Sequence, residues 1–190
     1  MVDGAPQPAK HPLGEMHMIG NRARERVLAL DVRSGKCAFA VFEGPHRLLD
    51  FGSRSFARKY GPLKTTARKR FINLLNLYSP NLIVFRSAST GSNKTKARVN
   101  LIASTLRQIA RGQSVRLRFI SRKKVKAFFR AQALETKHAI ASQLADRYFD
   151  LSWRLPPKRK VWQAEYPQMA VFDAAATAIV YFQCPIVQTS

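Results

Sequence analysis

The chain is short of acid. Of its 190 residues only 11 are Asp or Glu, against 33 Lys or Arg, a formal net charge of +22. So lopsided a balance needs a polyanionic partner, and nucleic acid is the default. Cysteine is almost absent: Cys37 and Cys184 stand far apart, with no CxxC or Cys/His spacing for zinc. Each has apolar neighbours, which reads as a buried reduced thiol and fits a cytoplasmic compartment. No run of about 18 apolar residues exists, so no transmembrane helix is expected. The first 20 residues lack the apolar core of a signal peptide. They carry Pro6, Pro8, Pro12, Gly4, Gly14 and Gly20 and read as part of a mobile tail over 1–25. There is no internal repeat and no P-loop, GxGxxG, HExxH or GxSxG pattern.

What is there begins at about residue 26. Hydrophobic residues make up 46% of the chain, too many for a disordered protein. Val27–Asp31, Cys37–Glu43 and Leu48–Ser53 are short apolar runs separated by Ser34-Gly35 and Gly44-Pro45, an antiparallel meander. Helical spacing follows over Leu63–Tyr78 and stops at Ser79-Pro80. NLIVF, 81–85, is a compact strand. A helix over about Lys94–Arg111 ends at Gly112, and Val115–Ile120 is a fifth strand. Ser121 is placed to cap a helix to Arg130. Glu135–Phe149 is helical, WRLPPKRKVW (153–162) is a basic loop, and Pro167 opens a last helix to Gln183. The order β-β-β-α-β-α-β-α-α-α implies an α/β domain over 26–184. Its five-stranded mixed sheet has three antiparallel strands first, then two parallel ones, with helices on both faces. Residues 185–190 are left as a short tail.

Four stretches in this order resemble the RNase H-like superfamily, and within it the RuvC-like Holliday-junction resolvases. VLALDVRSG resembles the first-strand motif that ends on a catalytic aspartate, here Asp31. YSPNLIVF resembles the junction into the fourth strand. SRKKVKAFF followed by LETKHAIASQL resembles a basic helix and a Lys-bearing helix start. MAVFDAAATAIVYF resembles the last helix, with its aspartate at Asp173. The resemblance implies a metal-dependent endonuclease, of crossover-junction type, hydrolysing phosphodiester bonds in branched or structured DNA. Asp31 and Asp173 would hold Mg²⁺, with a two-ion site about 4 Å across as the family's arrangement and Mn²⁺ as a substitute. It also implies roles in DNA recombination and repair, and a homodimer, since a four-way junction has two symmetric cuts.

The chain departs from that pattern twice. Arg86 stands where resolvases place a glutamate, and Ala170 where they place a second acid. Glu165 is a third catalytic candidate. It lies eight residues before Asp173, about 12 Å along one continuous helix, but Pro167 lets the chain fold back. Its simpler role is an acid favouring the helix dipole. Asp50 is a further acid in the third strand. The departures leave two alternatives open. One is a catalytically impaired nucleic-acid-binding protein in which Arg86 pairs with Asp31 in place of a metal. The other is an RNA-processing nuclease of the YqgF type. Local readings also stand, with Asp31 closing a turn toward Arg33 or Ser34. For phosphates the candidates are Lys94, Lys96 and Arg98; Arg122, Lys123, Lys124, Lys126 and Arg130; Lys137; and Lys158, Arg159 and Lys160. His138 is either a neighbour of the scissile phosphate or a plain surface histidine. Trp153 and Trp162 either stack on bases or pack the loop.

Overall fold

A computed structural model describes residues 22, 24–33, 35–87, 92–160 and 162–184. Most of the expected N-terminal tail and the whole of 185–190 lie outside these residues. The elements are β1 (Arg26–Val32), β2 (Lys36–Glu43), β3 (Arg47–Ser55), α1 (Leu63–Tyr78), β4 (Leu82–Ser87), α2 (Asn93–Gly112), β5 (Arg116–Ser121), α3 (Arg122–Arg130), α4 (Lys137–Arg147), α5 (Phe149–Ser152) and α6 (Met169–Gln183). They form one mixed sheet in the order β3-β2-β1-β4-β5. β1, β2 and β3 pair antiparallel, while β4 runs parallel to β1 and to β5. This is the α/β sheet expected from the sequence.

Three of the boundaries that differ from expectation bear on the site, and each has a physical reason. β4 runs past Phe85 because Arg86 and Ser87 pair with Ile120 and Ser121 of β5. The expected helix over 135–149 breaks at Tyr148, whose φ of −122° and ψ of 97° are extended. α6 starts at Met169, two residues beyond Pro167.

β1 is buried on both faces from Val27 to Val32. Strands covered on both sides read as continuous apolar runs. Alternation then sorts their side chains. Leu28, Leu30, Ile83 and Phe85 pack with α1 and α2 on one face. Val27, Ala29, Leu82 and Val84 pack with α3, α4 and α6 on the other. By the same parity Asp31 and Arg86 belong to the α6 face, and they are direct partners in the β1–β4 register. α6 is apolar nearly all round and buried from Met169 to Phe182. Such a helix has to be sandwiched, here between the sheet and α3 and α4. Ala174, Ala175, Ala176 and Ala178 keep it thin enough to lie close to the strands.

Because β1, β4 and β5 are parallel, their C-terminal ends share one edge of the sheet, the usual place for a site in an α/β fold. The N-termini of α2 and α3 rise from that edge. Side-chain oxygens cap these helices and α4: Ser92 accepts from the Thr95 N–H at 3.3 Å, Ser121 from Lys124 at 3.2 Å and Thr136 from Ala139 at 3.1 Å. The opposite edge is pinned by Glu25, which is buried, accepts the Tyr181 hydroxyl at 2.5 Å and pairs with Arg116. Arg22 donates to the carbonyls of Tyr181 and Cys184. These two residues of the expected tail are therefore tied to the domain. Both cysteines are free thiols, Cys37 buried and Cys184 half-buried. No helix among the described residues is long and apolar enough to cross a membrane.

Candidate functional site

Six charged side chains meet where β1 and β4 end beneath the first turns of α6. Asp31 and Asp173 are almost fully buried, at 2% and 9% exposure, and so is Arg86 at 7%. An isolated buried carboxylate is costly, so each must have partners. Arg86 supplies them from the adjacent strand. Its Nε and Nη2 donate to Asp31 Oδ1, both at 2.8 Å, and its Nη1 reaches Asp173 Oδ1 at 3.0 Å. One planar guanidinium thus bridges both acids, with charge-assisted contacts to each.

The remaining oxygens are filled from two other places. Arg33, two residues beyond Asp31, donates from Nε to Asp31 Oδ2 at 3.0 Å. Its Nη2 donates to Asp173 Oδ2 at 2.5 Å and to Glu165 Oε1 at 3.1 Å. Lys137, at the start of α4, gives its Nζ to Glu165 Oε1 at 2.7 Å and to Asp173 Oδ2 at 3.1 Å. Three carboxylates face three cations, and the cluster is formally neutral.

The titrations follow from this packing. Burial pushes the Asp173 carboxyl up, but Arg86, Lys137 and Arg33 outweigh it and hold the group below its ordinary value. Glu165 is likewise held low: burial opposes ionisation, and Lys137 and Arg33 overcome it. Burial alone would lower Arg86, yet Asp31 and Asp173 raise it. Arg33 is raised for the same reason, against the same burial. Every one of these four groups keeps its charge at neutral pH.

The donor set does not fit the divalent ion expected from the resemblance. Mg²⁺ needs open carboxylate oxygens at about 2.0–2.1 Å in an octahedron. Here the two facing oxygens, Asp31 Oδ1 and Asp173 Oδ1, both belong to Arg86, and the other two to Arg33 and Lys137. The recess lined by Arg86, Lys137 and Asp173 is about 20 Å³, room for roughly one water. Ala170 is buried and offers no ligand. Among the described residues, no group of three or more His, Cys, Asp or Glu side chains is placed to hold a metal. In this structure Asp31 and Asp173, the side chains expected to hold a metal, are joined in an ion-pair network.

Glu165 joins the cluster because the chain is not helical before Met169, so the rise estimated for a continuous helix does not apply. Its expected role as a helix-dipole acid gives way to pairing with Arg33 and Lys137. Asp50, within β3, stays outside the cluster and accepts the Tyr78 hydroxyl. Sequence reasoning gives Arg33 only the part of a turn partner for Asp31. Its position two residues on along an extended chain, hence on Asp31's face, is the signal for its larger part.

Beside the cluster opens a cavity of about 460 Å³. Arg122 and Lys126 of α3, Lys137 of α4, and Lys158, Arg159 and Lys160 of the loop line it, with Glu135 and Glu165 the acids. Three of the expected basic blocks therefore converge. Lys137 belongs to the ion-pair cluster as well as to this wall. Lys123, Lys124 and Arg130 are exposed elsewhere on α3. Lys94, Lys96 and Arg98 rise from the same edge of the sheet but on α2, which packs on the other face. His138 lines the cavity and its Nε2 lies 3.1 Å from the Pro156 carbonyl, a contact in which the ring N–H donates and ties the loop to α4.

No family model matches the sequence, and no curated protein does. Solved structures do match. RuvC of T. thermophilus in complex with a Holliday junction superposes with a TM-score of 0.62 at 18% identity, over 83% of this chain and 93% of that one. The fold is that of RuvC. A second Thermus thermophilus RuvC structure gives 0.59 at 18% identity with the same coverage. The yeast mitochondrial Holliday junction resolvase Ydc2 gives 0.57 at 13% identity, over 90% of this chain and 86% of that one. At these identities the likeness is one of fold. On this RuvC-like frame Asp31 and Arg86 end neighbouring strands, and Asp173 faces them from α6.

Proposed function

We propose that this protein binds branched or structured nucleic acid on a RuvC-like domain without cutting it. The observation that carries this reading is Arg86, bridging Asp31 and Asp173 with one guanidinium. Phosphodiester hydrolysis on two carboxylates needs a cation that can bind water and a phosphate oxygen. A guanidinium sunk between two acids supplies neither an open coordination site nor an ionised water. It also repels an entering divalent ion. The ion pairs make a stable floor, and the cations beside that floor meet the backbone.

DNA is the favoured partner because the neighbours of similar fold are Holliday-junction resolvases, one of them in complex with that substrate. The basic face reads phosphate and serves structured RNA as well. A homodimer is the arrangement that suits a symmetric junction. The competing reading, a Mg²⁺- or Mn²⁺-dependent endonuclease using Asp31 and Asp173, draws its support from the same neighbours.

A labelled four-way junction, a duplex and a structured RNA, each with and without Mg²⁺ or Mn²⁺, separate the two. The expected result is retention of the junction in a gel with no product at any metal concentration. Metal-dependent cleavage that Asp31→Asn abolishes would overturn the proposal.

A further inference from the structure

The loop beside the cavity carries a feature that phosphate binding does not use. The chain has two tryptophans, and both are exposed, Trp153 at 67% and Trp162 at 80%. Tryptophan is rarely left this open. Trp153 is anchored: its ring sits 6.1 Å from Phe51 and under the Arg154 guanidinium at 4.3 Å. Trp162 has no aromatic partner among the described residues, and its ring contact is Lys160, with Nζ 5.5 Å from the centroid. Lys160 also lines the cationic cavity, so the cation over the indole is one of the cavity's own. The turn that holds it is hydrogen-bonded. Arg159 donates to the Gln163 carbonyl at 2.5 Å, and the Lys160 N–H donates to Gln163 Oε1 at 2.8 Å.

We infer that Trp162 is a stacking platform for an unpaired base, with that nucleotide's phosphates in the cavity lined by Lys158, Arg159 and Lys160. The inference rests on the nucleic-acid-binding reading and adds the substrate class: single-stranded or unpaired segments, ahead of continuous duplex. The physical reason is access. In a duplex both faces of each base are covered by its neighbours. A surface indole therefore has a free face to meet only at an unpaired or terminal base. Stacking of this kind is sequence-tolerant, and a flanking cation strengthens it. The concave cationic wall suits a flexible strand that can bend into it better than a straight helix.

The test uses the full chain carrying Trp153→Phe, which leaves Trp162 as its one tryptophan. The probes are oligo-dT, a duplex of equal charge and inorganic polyphosphate. Oligo-dT is expected to quench the indole fluorescence, and polyphosphate to bind without quenching. Adding Trp162→Ala is expected to weaken oligo-dT binding about five- to hundredfold and duplex binding less than about twofold, with Trp162→Phe keeping most of the affinity. Equal losses on single strand and duplex would overturn the platform, as would polyphosphate quenching as deep as that by oligo-dT. Nucleic-acid binding without quenching overturns the platform alone. Failure of all three polyanions to bind overturns the binding reading as well.

Discussion

Two charged regions lie side by side, and they obey opposite rules. In the cluster, three acids meet three bases, and each inward oxygen has a donor within about hydrogen-bond reach. In the cavity next to it, six cations face Glu135 and Glu165; setting aside Lys137 and Glu165, which the regions share, five cations face one acid. The interior cannot tolerate unmatched charge, because desolvation there is not repaid by water. The surface can, because water and salt screen it. Balance is thus a property of folding, and the excess is what remains for a polyanion. The same +22 chain contains both, and their boundary runs through Lys137.

The sharpest way to break this contrast is to remove Arg86. Arg86→Ala leaves Asp31 and Asp173 buried with only the outer cations, Arg33 and Lys137. Removing one partner of a buried pair costs about 3–5 kcal/mol, and urea unfolding at neutral pH is expected to show a loss of that size. A loss under about 1 kcal/mol would mean that the acids are solvated, and that a metal could reach them.

The sequence displays most of the frame. The meander, NLIVF and the small residues of the last helix follow from periodicity and turn chemistry, and their order limits the sheet to few topologies. It displays the acids of the site less fully. Asp31 and Asp173 stand out because carboxylates are rare here and these two sit in apolar runs. The parity that turns Arg86 onto Asp31 is legible only if β4 extends past Phe85, and that extension depends on β5, some thirty residues away. Glu165 is harder still. Its reach depends on where α6 begins, and helix starts are the least certain boundaries in a sequence. The cavity depends on three segments converging, which no local pattern encodes.

A smaller effect sharpens the comparison through pH. The native pKa values of Asp173 and Glu165 are lowered by their cations, with burial opposing. In the unfolded chain they return to about 3.9 and 4.3. A depressed native pKa gives stability that is fully present above the unfolded value and lost as pH falls through the native one. The protein is therefore expected to hold its stability from pH 7 to about pH 5, then lose it progressively below about pH 4. Asp173→Asn should be less stable at pH 7, and its disadvantage should shrink as the pH drops. A constant gap between the two proteins from pH 7 to pH 3 in urea melts would show that Asp173 contributes by packing rather than by charge.

The smallest effect on stability is expected where the charge is greatest. Lys123, Lys124, Lys126 and Arg130 lie along the outer side of α3, and none has a carboxylate partner among the described residues. Replacing all four by Gln removes only surface charges, which rarely shift stability by more than about 0.5 kcal/mol each. Thinning the charges of a like-signed face works in the stabilising direction. The change belongs to binding instead. Each phosphate that α3 no longer neutralises should flatten the plot of log affinity against log salt by about 0.9 for a duplex arm, so α3 docked along a backbone predicts a visibly shallower line. An unchanged slope would place the strand on the basic blocks outside α3, either Lys158, Arg159 and Lys160 at the cavity or Lys94 and Lys96 of α2. A large loss of stability would instead mean that α3 needs its charges to fold, and the separation between balanced interior and spare surface would fail.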